Sequence, residues 1–201
     1  MTILAIETST PCGSVALLRG KDFLFEETFT ADRSHSASLF GALEGALKFA
    51  SPIDQVAVGL GPGSYAGVRI AIAAGIGLQL GMRAALVGVP SVAALDAGTT
   101  EYVAIGDARR DAFYFTHVIN GICVAGPRLH TEAELRALLA LLPRMPVFTS
   151  GPLPTFPDAR VAQPTAACVS RIASGKTGIT ARESLEPVYL REPHITTATP
   201  A

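Results

Sequence analysis

The run Gly59-Leu60-Gly61-Pro62-Gly63-Ser64-Tyr65-Ala66-Gly67 carries the densest chemical signal in the chain. It lies between an apolar strand-like run and a helix of small residues. Backbone N–H groups at a helix start can bind an anion, and glycines let a phosphate or a neighbouring backbone approach closely. Two readings stay open for Gly61, Pro62, Gly63 and Ser64, with Arg69 one turn further on. One is contact with a nucleotide, another anion or a partner; the other is a tight turn with close helix packing. A dinucleotide fingerprint is excluded. It needs Gly-x-Gly-x-x-Gly and an acid closing the next strand, whereas three residues separate Gly63 from Gly67 and the run Ala85 to Val89 ends in no acid. Ser174-Gly175-Lys176-Thr177 is similar to the end of a phosphate-binding P-loop, but Ser170 stands where its first glycine belongs, and a helix precedes it.

Two acids close matching strand-like runs, Glu7 and Asp107, with Arg109 just beyond the second. These three are candidates for an inter-lobe cleft, where they would position a ligand or hydrogen-bond their own turns. The histidines, His35, His117, His130 and His194, include no pair spaced i, i+4, so a helical metal pair is not expected. The cysteines, Cys12, Cys123 and Cys168, are far apart and odd in number, which fits isolated reduced thiols. No metal site and no catalytic residue is expected.

The elements that would carry these groups repeat. Ile3 to Glu7, Val15 to Leu18 and Phe23 to Phe29 read as an antiparallel meander. A helix from about Ser36 to Phe49, capped by Ser34 or Ser36, follows, then a strand at Val56 to Leu60, a helix from Ser64 to about Gly81 and a strand at Ala85 to Val89. The second half echoes this order with strands at Tyr102 to Asp107, Ala112 to Ile119 and Ile122 to Ala125. A helix at Glu132 to Leu142 with Thr131 as N-cap, a strand at Val147 to Ser150 and a helix at Ala166 to Ser174 complete it. The fold expected is therefore α/β, a duplicated βββαβα of the RNase H-like, actin-like type. It has two lobes, residues 1–100 and a reduced 101–201.

Gly67, Ala71 and Gly75 lie four apart on one helix face. Glycine costs about 1 kcal/mol against alanine inside a helix, so close backbone approach is expected there. A helix apolar nearly all round is buried on more than one side. The expected partner interface is thus His35, Leu39 and Leu43 of the first helix with Gly67, Ala71, Ala74 and Gly75 of the second. Gln79, Arg83 and four glycines interrupt the apolar stretch from Ile70 to Val89, against a membrane span.

Composition agrees. Of 201 residues 49% are hydrophobic and 16% charged, which leaves an apolar surface for a partner. With 16 basic and 17 acidic residues, the chain has no footprint for gripping nucleic acid unaided. The N-terminus has no basic n-region, so a cytoplasmic protein is expected.

These residues together resemble the TsaB (YeaZ) family. The matching stretches are Ile3 to Thr10, Ser14 to Leu17, Val58 to Ile70, Asp107 to Arg109 and Glu186-Pro187-Val188-Tyr189-Leu190-Arg191. The resemblance implies a non-catalytic dimerisation subunit of the machinery that forms N6-threonylcarbamoyladenosine at position 37 of tRNA. It implies a TsaD-type catalytic partner, a TsaE-type ATPase, a homodimer when alone, and tRNA contact only through the complex. It implies no cofactor on this chain alone, with ATP or ADP expected at the subunit seam. The chain departs from the family pattern at Glu7, usually Asp, and at Tyr65-Ala66, usually Phe-Thr. Where the catalytic paralogue carries a histidine pair for metal, this chain has Ser91 and Leu95. The alternative is a small actin-fold ATPase or kinase using Glu7, Cys12, Gly13 and Asp107; a glycoprotease-like peptidase is a distant third.

Overall fold

The computed structural model describes residues 1–30, 35–49, 52–175, 179–180 and 185–191. Ser34, Lys176, Thr177 and His194 lie outside the described residues, as does the side chain of His35.

The first half forms β1 (Thr2–Glu7), β2 (Cys12–Arg19), β3 (Asp22–Thr30), α1 (His35–Leu47), β4 (Gln55–Gly59), α2 (Tyr65–Met82) and β5 (Ala85–Val89). The second forms β6 (Glu101–Asp107), β7 (Phe113–Ile119), β8 (Ile122–His130), α3 (Glu132–Ala140), β9 (Val147–Thr149), β10 (Arg160–Val161), α4 (Ala166–Ser174) and β11 (Ile179–Thr180). One sheet runs β11-β5-β4-β1-β2-β3 and the other β10-β9-β6-β7-β8. In both, an antiparallel meander is followed by a strand parallel to its first member: β4 beside β1 and β9 beside β6. The duplicated α/β layout is present.

Strand alternation divides the first core. Leu4, Ile6, Val15 and Leu17 face α1 and α2, while Ile3, Ala5, Ala16 and Leu18 face the opposite side. That opposite side is covered by α4, through Ala166, Val169 and Ala173. The Ala166 amide donates to Ser14 Oγ at 2.8 Å. Helix α4 and β11 therefore come from residues 101–201 but complete the first sheet, β11 pairing with β5. The reason is geometric: β1 is buried on both faces, and the first half brings its helices to only one of them.

Local signals act as their chemistry dictates. Asn120 and Gly121 have φ of 51° and 75°, the pair of left-handed residues of a two-residue hairpin. Thr131 and Glu134 close a capping box on α3. Strand β8 extends to His130, past the expected end at Ala125. Gly126 (φ 83°) takes up a register irregularity, so the chain resumes pairing instead of turning away.

Candidate functional site

The Gly-Pro-Gly-Ser loop is held from beneath by a buried relay. Glu7 is fully buried. Its Oε1 accepts from the Ser9 amide at 2.6 Å, and its Oε2 from Ser91 Oγ at 2.7 Å. Ser91 Oγ in turn accepts from the Gly61 amide at 2.9 Å, and the Ser91 amide donates to the Gly61 carbonyl at 2.8 Å. The Ser64 amide donates to the Ser9 carbonyl at 2.6 Å. A Cβ at Gly59 would strike the Glu7 carboxylate, one at Gly63 the Ser9 carbonyl, and one at Gly67 the Thr8 carbonyl. The glycines thus allow backbone to approach backbone inside the chain. Burial pushes the Glu7 carboxyl above its usual range, against the lowering by its Ser9 and Ser91 hydrogen bonds. Glu7 is therefore not a cleft residue, contrary to the expectation from sequence. Both its oxygens are committed to the loop, and the longer side chain spans from β1 to Ser91.

Above the loop lies an inter-lobe cleft of about 660 Å³. Ser9, Pro62 to Tyr65 and Val68 form one wall; Asp107 to Arg109, Tyr114 and Ser150 form the other. Asp107 Oδ1 accepts from the Arg109 amide at 2.6 Å, so Asp107 serves its own turn while lining the cleft. Arg109, Arg110 and Asp111 all have positive φ, between 52° and 64°. Burial pushes the Tyr114 hydroxyl up to about 12. The cleft mixes apolar and hydroxyl-bearing side chains, and among the described residues Asp107 and Arg109 are its only charged lining.

A C-terminal strap, residues 187–191, crosses this cleft. The Val188 amide donates to the Leu60 carbonyl at 2.8 Å. Arg69 donates from Nη2 to Tyr189 Oη at 2.9 Å and stacks over the Tyr65 ring at 4.0 Å. Arg191 Nη2 donates to the Arg109 carbonyl at 3.0 Å. Arg69 is thus engaged at the rim by the strap. Tyr189 and Arg191 were not among the expected site residues; their signal in the sequence was the Pro-Val-Tyr-Leu-Arg motif.

The expected interface residues divide differently from the sequence reading. Leu39, Leu43 and Ala71 are buried in the core, and Gly67 and Gly75 are buried against the sheet. A Cβ on Gly75 would lie 2.8 Å from Val58 Cγ1. Ala74 is half-buried, and His35 opens α1. The small-residue stripe seats α2 on its own sheet, so Leu39, Leu43, Gly67, Ala71 and Gly75 cannot be the surface a partner meets. The outward stripe of α2 is Ala66, Arg69, Ala73, Ile76, Gly77 and Leu80, and Arg69 is the only charge on that helix. Leu80 is 71% exposed and Phe40, on α1, 56%. Both stripes recur at spacings of three and four; only the position of the sheet tells them apart.

Among the described residues, no three His, Cys, Asp or Glu side chains are placed to hold a metal ion. Ser91 is spent on the relay, and Leu95 is buried in the second core.

Comparison with known proteins places this architecture. Residues 29–135, just over half the chain, match the family model described as "TsaD: tRNA N6-adenosine threonylcarbamoyltransferase". An uncharacterized protein of Mycobacterium tuberculosis is 34% identical over 143 residues, 67% of each chain. The tRNA threonylcarbamoyladenosine biosynthesis protein TsaB of Haemophilus influenzae is 32% identical over 130 residues, 59% of this chain and 54% of its own. The chain belongs to the TsaB (YeaZ) family. A crystal structure from Pseudomonas aeruginosa, described as similar to the peptidase YeaZ, superposes with a TM-score of 0.71 at 26% identity. It covers 94% of this chain and 99% of the other, so the shared architecture extends through both lobes. The match spans about half the length of the H. influenzae TsaB.

Proposed function

We propose that this chain acts in forming threonylcarbamoyladenosine in tRNA, as a non-catalytic subunit that docks the outer face of α1 and α2 on a TsaD-type catalytic subunit. The observation that carries the reading is the outward stripe of α2, where Ile76 and Leu80 are exposed among alanine and glycine with Arg69 the only charge. Apolar surface of this kind marks an interaction site. Alanine and glycine there let a partner helix approach, and the Arg69–Tyr65–Tyr189 cluster supplies the aromatic and arginine side chains that anchor interfaces. By length and composition α2 could cross a membrane. Its inner face is occupied by the sheet, which supports a helix packed within a folded domain instead.

The non-catalytic reading is supported by what the polar groups already do. Glu7 and Ser91 are tied into the loop relay, and Asp107 into its turn. In this scheme a TsaE-type ATPase joins the pair, ATP or ADP lies at the subunit seam, and tRNA is held by the assembled complex. Alone, the chain pairs with a second copy through the same face. The test is co-purification with the TsaD-type protein of the same cell, with tRNA modification assayed with and without this chain. Modification that proceeds equally well without it contradicts the proposal.

A further inference from the structure

A second surface lies wholly within the other lobe, away from α1 and α2. A groove of about 630 Å³ opens between α3, the 142–146 loop and the approach to β10. Its floor is apolar: Leu139, Leu142, Met145 and Val147, packed on buried Ile105 and Phe156. Among the described residues its rim is cationic, with Arg136, Arg144 and Arg160 against the single acid Asp158. Arg136 is committed: it pairs with Glu132 at 2.8 Å, donates to the Thr155 carbonyl at 2.7 Å and stacks on Phe156 at 4.9 Å. Arg144 and Arg160 are exposed, and their side chains make no ion pair or hydrogen bond with another described residue.

We propose that this groove docks a segment of a partner protein carrying apolar side chains flanked by carboxylates. Charge complementarity selects the occupant, because two uncommitted guanidiniums overlooking an apolar floor fit paired acids around buried side chains. Nucleic acid fits worse. Three cations are a small phosphate footprint, and the groove's one aromatic ring, Phe156, is 6% exposed beneath Arg136, leaving no face for a base to stack on.

The test uses the full chain and fluorescein-labelled peptides of repeating Asp-Leu-Glu-Phe, with Asn and Gln in place of the acids as a neutral control. Fluorescence anisotropy reads binding. The acidic probe is expected to bind more tightly than the neutral one, and more weakly as salt rises. Arg144→Glu with Arg160→Glu is expected to lower its affinity about tenfold, since each exposed pair is worth up to roughly fivefold. Arg144→Gln with Arg160→Gln serves if the reversed pair lowers the thermal transition. Equal binding of neutral and acidic probes, no binding of the acidic probe, or unchanged affinity in a folded variant overturns the proposal. So does tighter binding of polyuridine or of phosphatidylglycerol vesicles, if lost in the same variant.

Discussion

Replacing Gly67 by alanine separates a helix stripe that packs on its own sheet from one that meets a partner. Alanine favours the helix by at most about 1 kcal/mol over glycine. The added methyl, however, would strike the Thr8 carbonyl oxygen, with the Thr8 carbonyl carbon 3.2 Å away. Both clashing atoms belong to backbone, so no rotamer change relieves them, and overpacking of this kind costs about 1–3 kcal/mol. Moving the helix outward also stretches two bonds: Thr8 Oγ1 donating to the Gly67 carbonyl at 2.8 Å, and the Gly67 amide donating to Ser64 Oγ at 3.2 Å. Each is worth about 1 kcal/mol. The balance is a loss of about 2 kcal/mol, or roughly 4–8 °C in Tm for a chain of this size. Urea titration of the isolated chain with thermal scanning reads it, and partner association is measured well below the transition. Unchanged stability with weakened association would show that Gly67 faces a partner, and would refute the packing account.

Ser91→Ala leaves the Gly61 amide without its acceptor and Glu7 Oε2 without its donor, both buried. A loss of about 2 kcal/mol is expected, with faster amide exchange at Gly61; protection equal to wild type would contradict the relay. Glu7 has its folded pKa raised by burial, so its contribution is complete below the unfolded value of 4.5 and is lost as pH rises through the raised value. Glu7→Gln keeps the acceptor for the Ser9 amide and removes the titration. Its stability relative to wild type should therefore rise as pH increases from 4.5 upward, and a difference independent of pH argues against a buried, destabilised carboxylate.

Much of this was legible in the residues because each signal was local. The apolar run from Thr2 to Glu7, the Asn120-Gly121 turn and the Thr131–Glu134 box each state their structure within a few residues. What was not legible depended on distant packing. The stripe Gly67, Ala71, Gly75 and the stripe Ala73, Ile76, Leu80 have equivalent helical spacing, and only the tertiary position of Val58 and Thr8 shows which one is inside. The commitment of Glu7 rests on Ser91, far along the chain. The assignment of α4 to the first sheet rests on a face of β1 that no nearby segment covers. The strap could be quoted as a motif, but its role requires Leu60, Arg69 and Arg109 to converge.

The central claim is that the outward stripe of α2 is the docking face. Ile76 and Leu80 are exposed, so Ile76→Asp with Leu80→Asp is expected to cost the fold no more than about 1–2 kcal/mol. Sedimentation velocity of the variant mixed with the TsaD-type subunit is the most direct test. The account predicts two separate boundaries where wild type gives one complex, with tRNA modification lost in parallel. A folded variant that sediments with its partner as wild type does would contradict it.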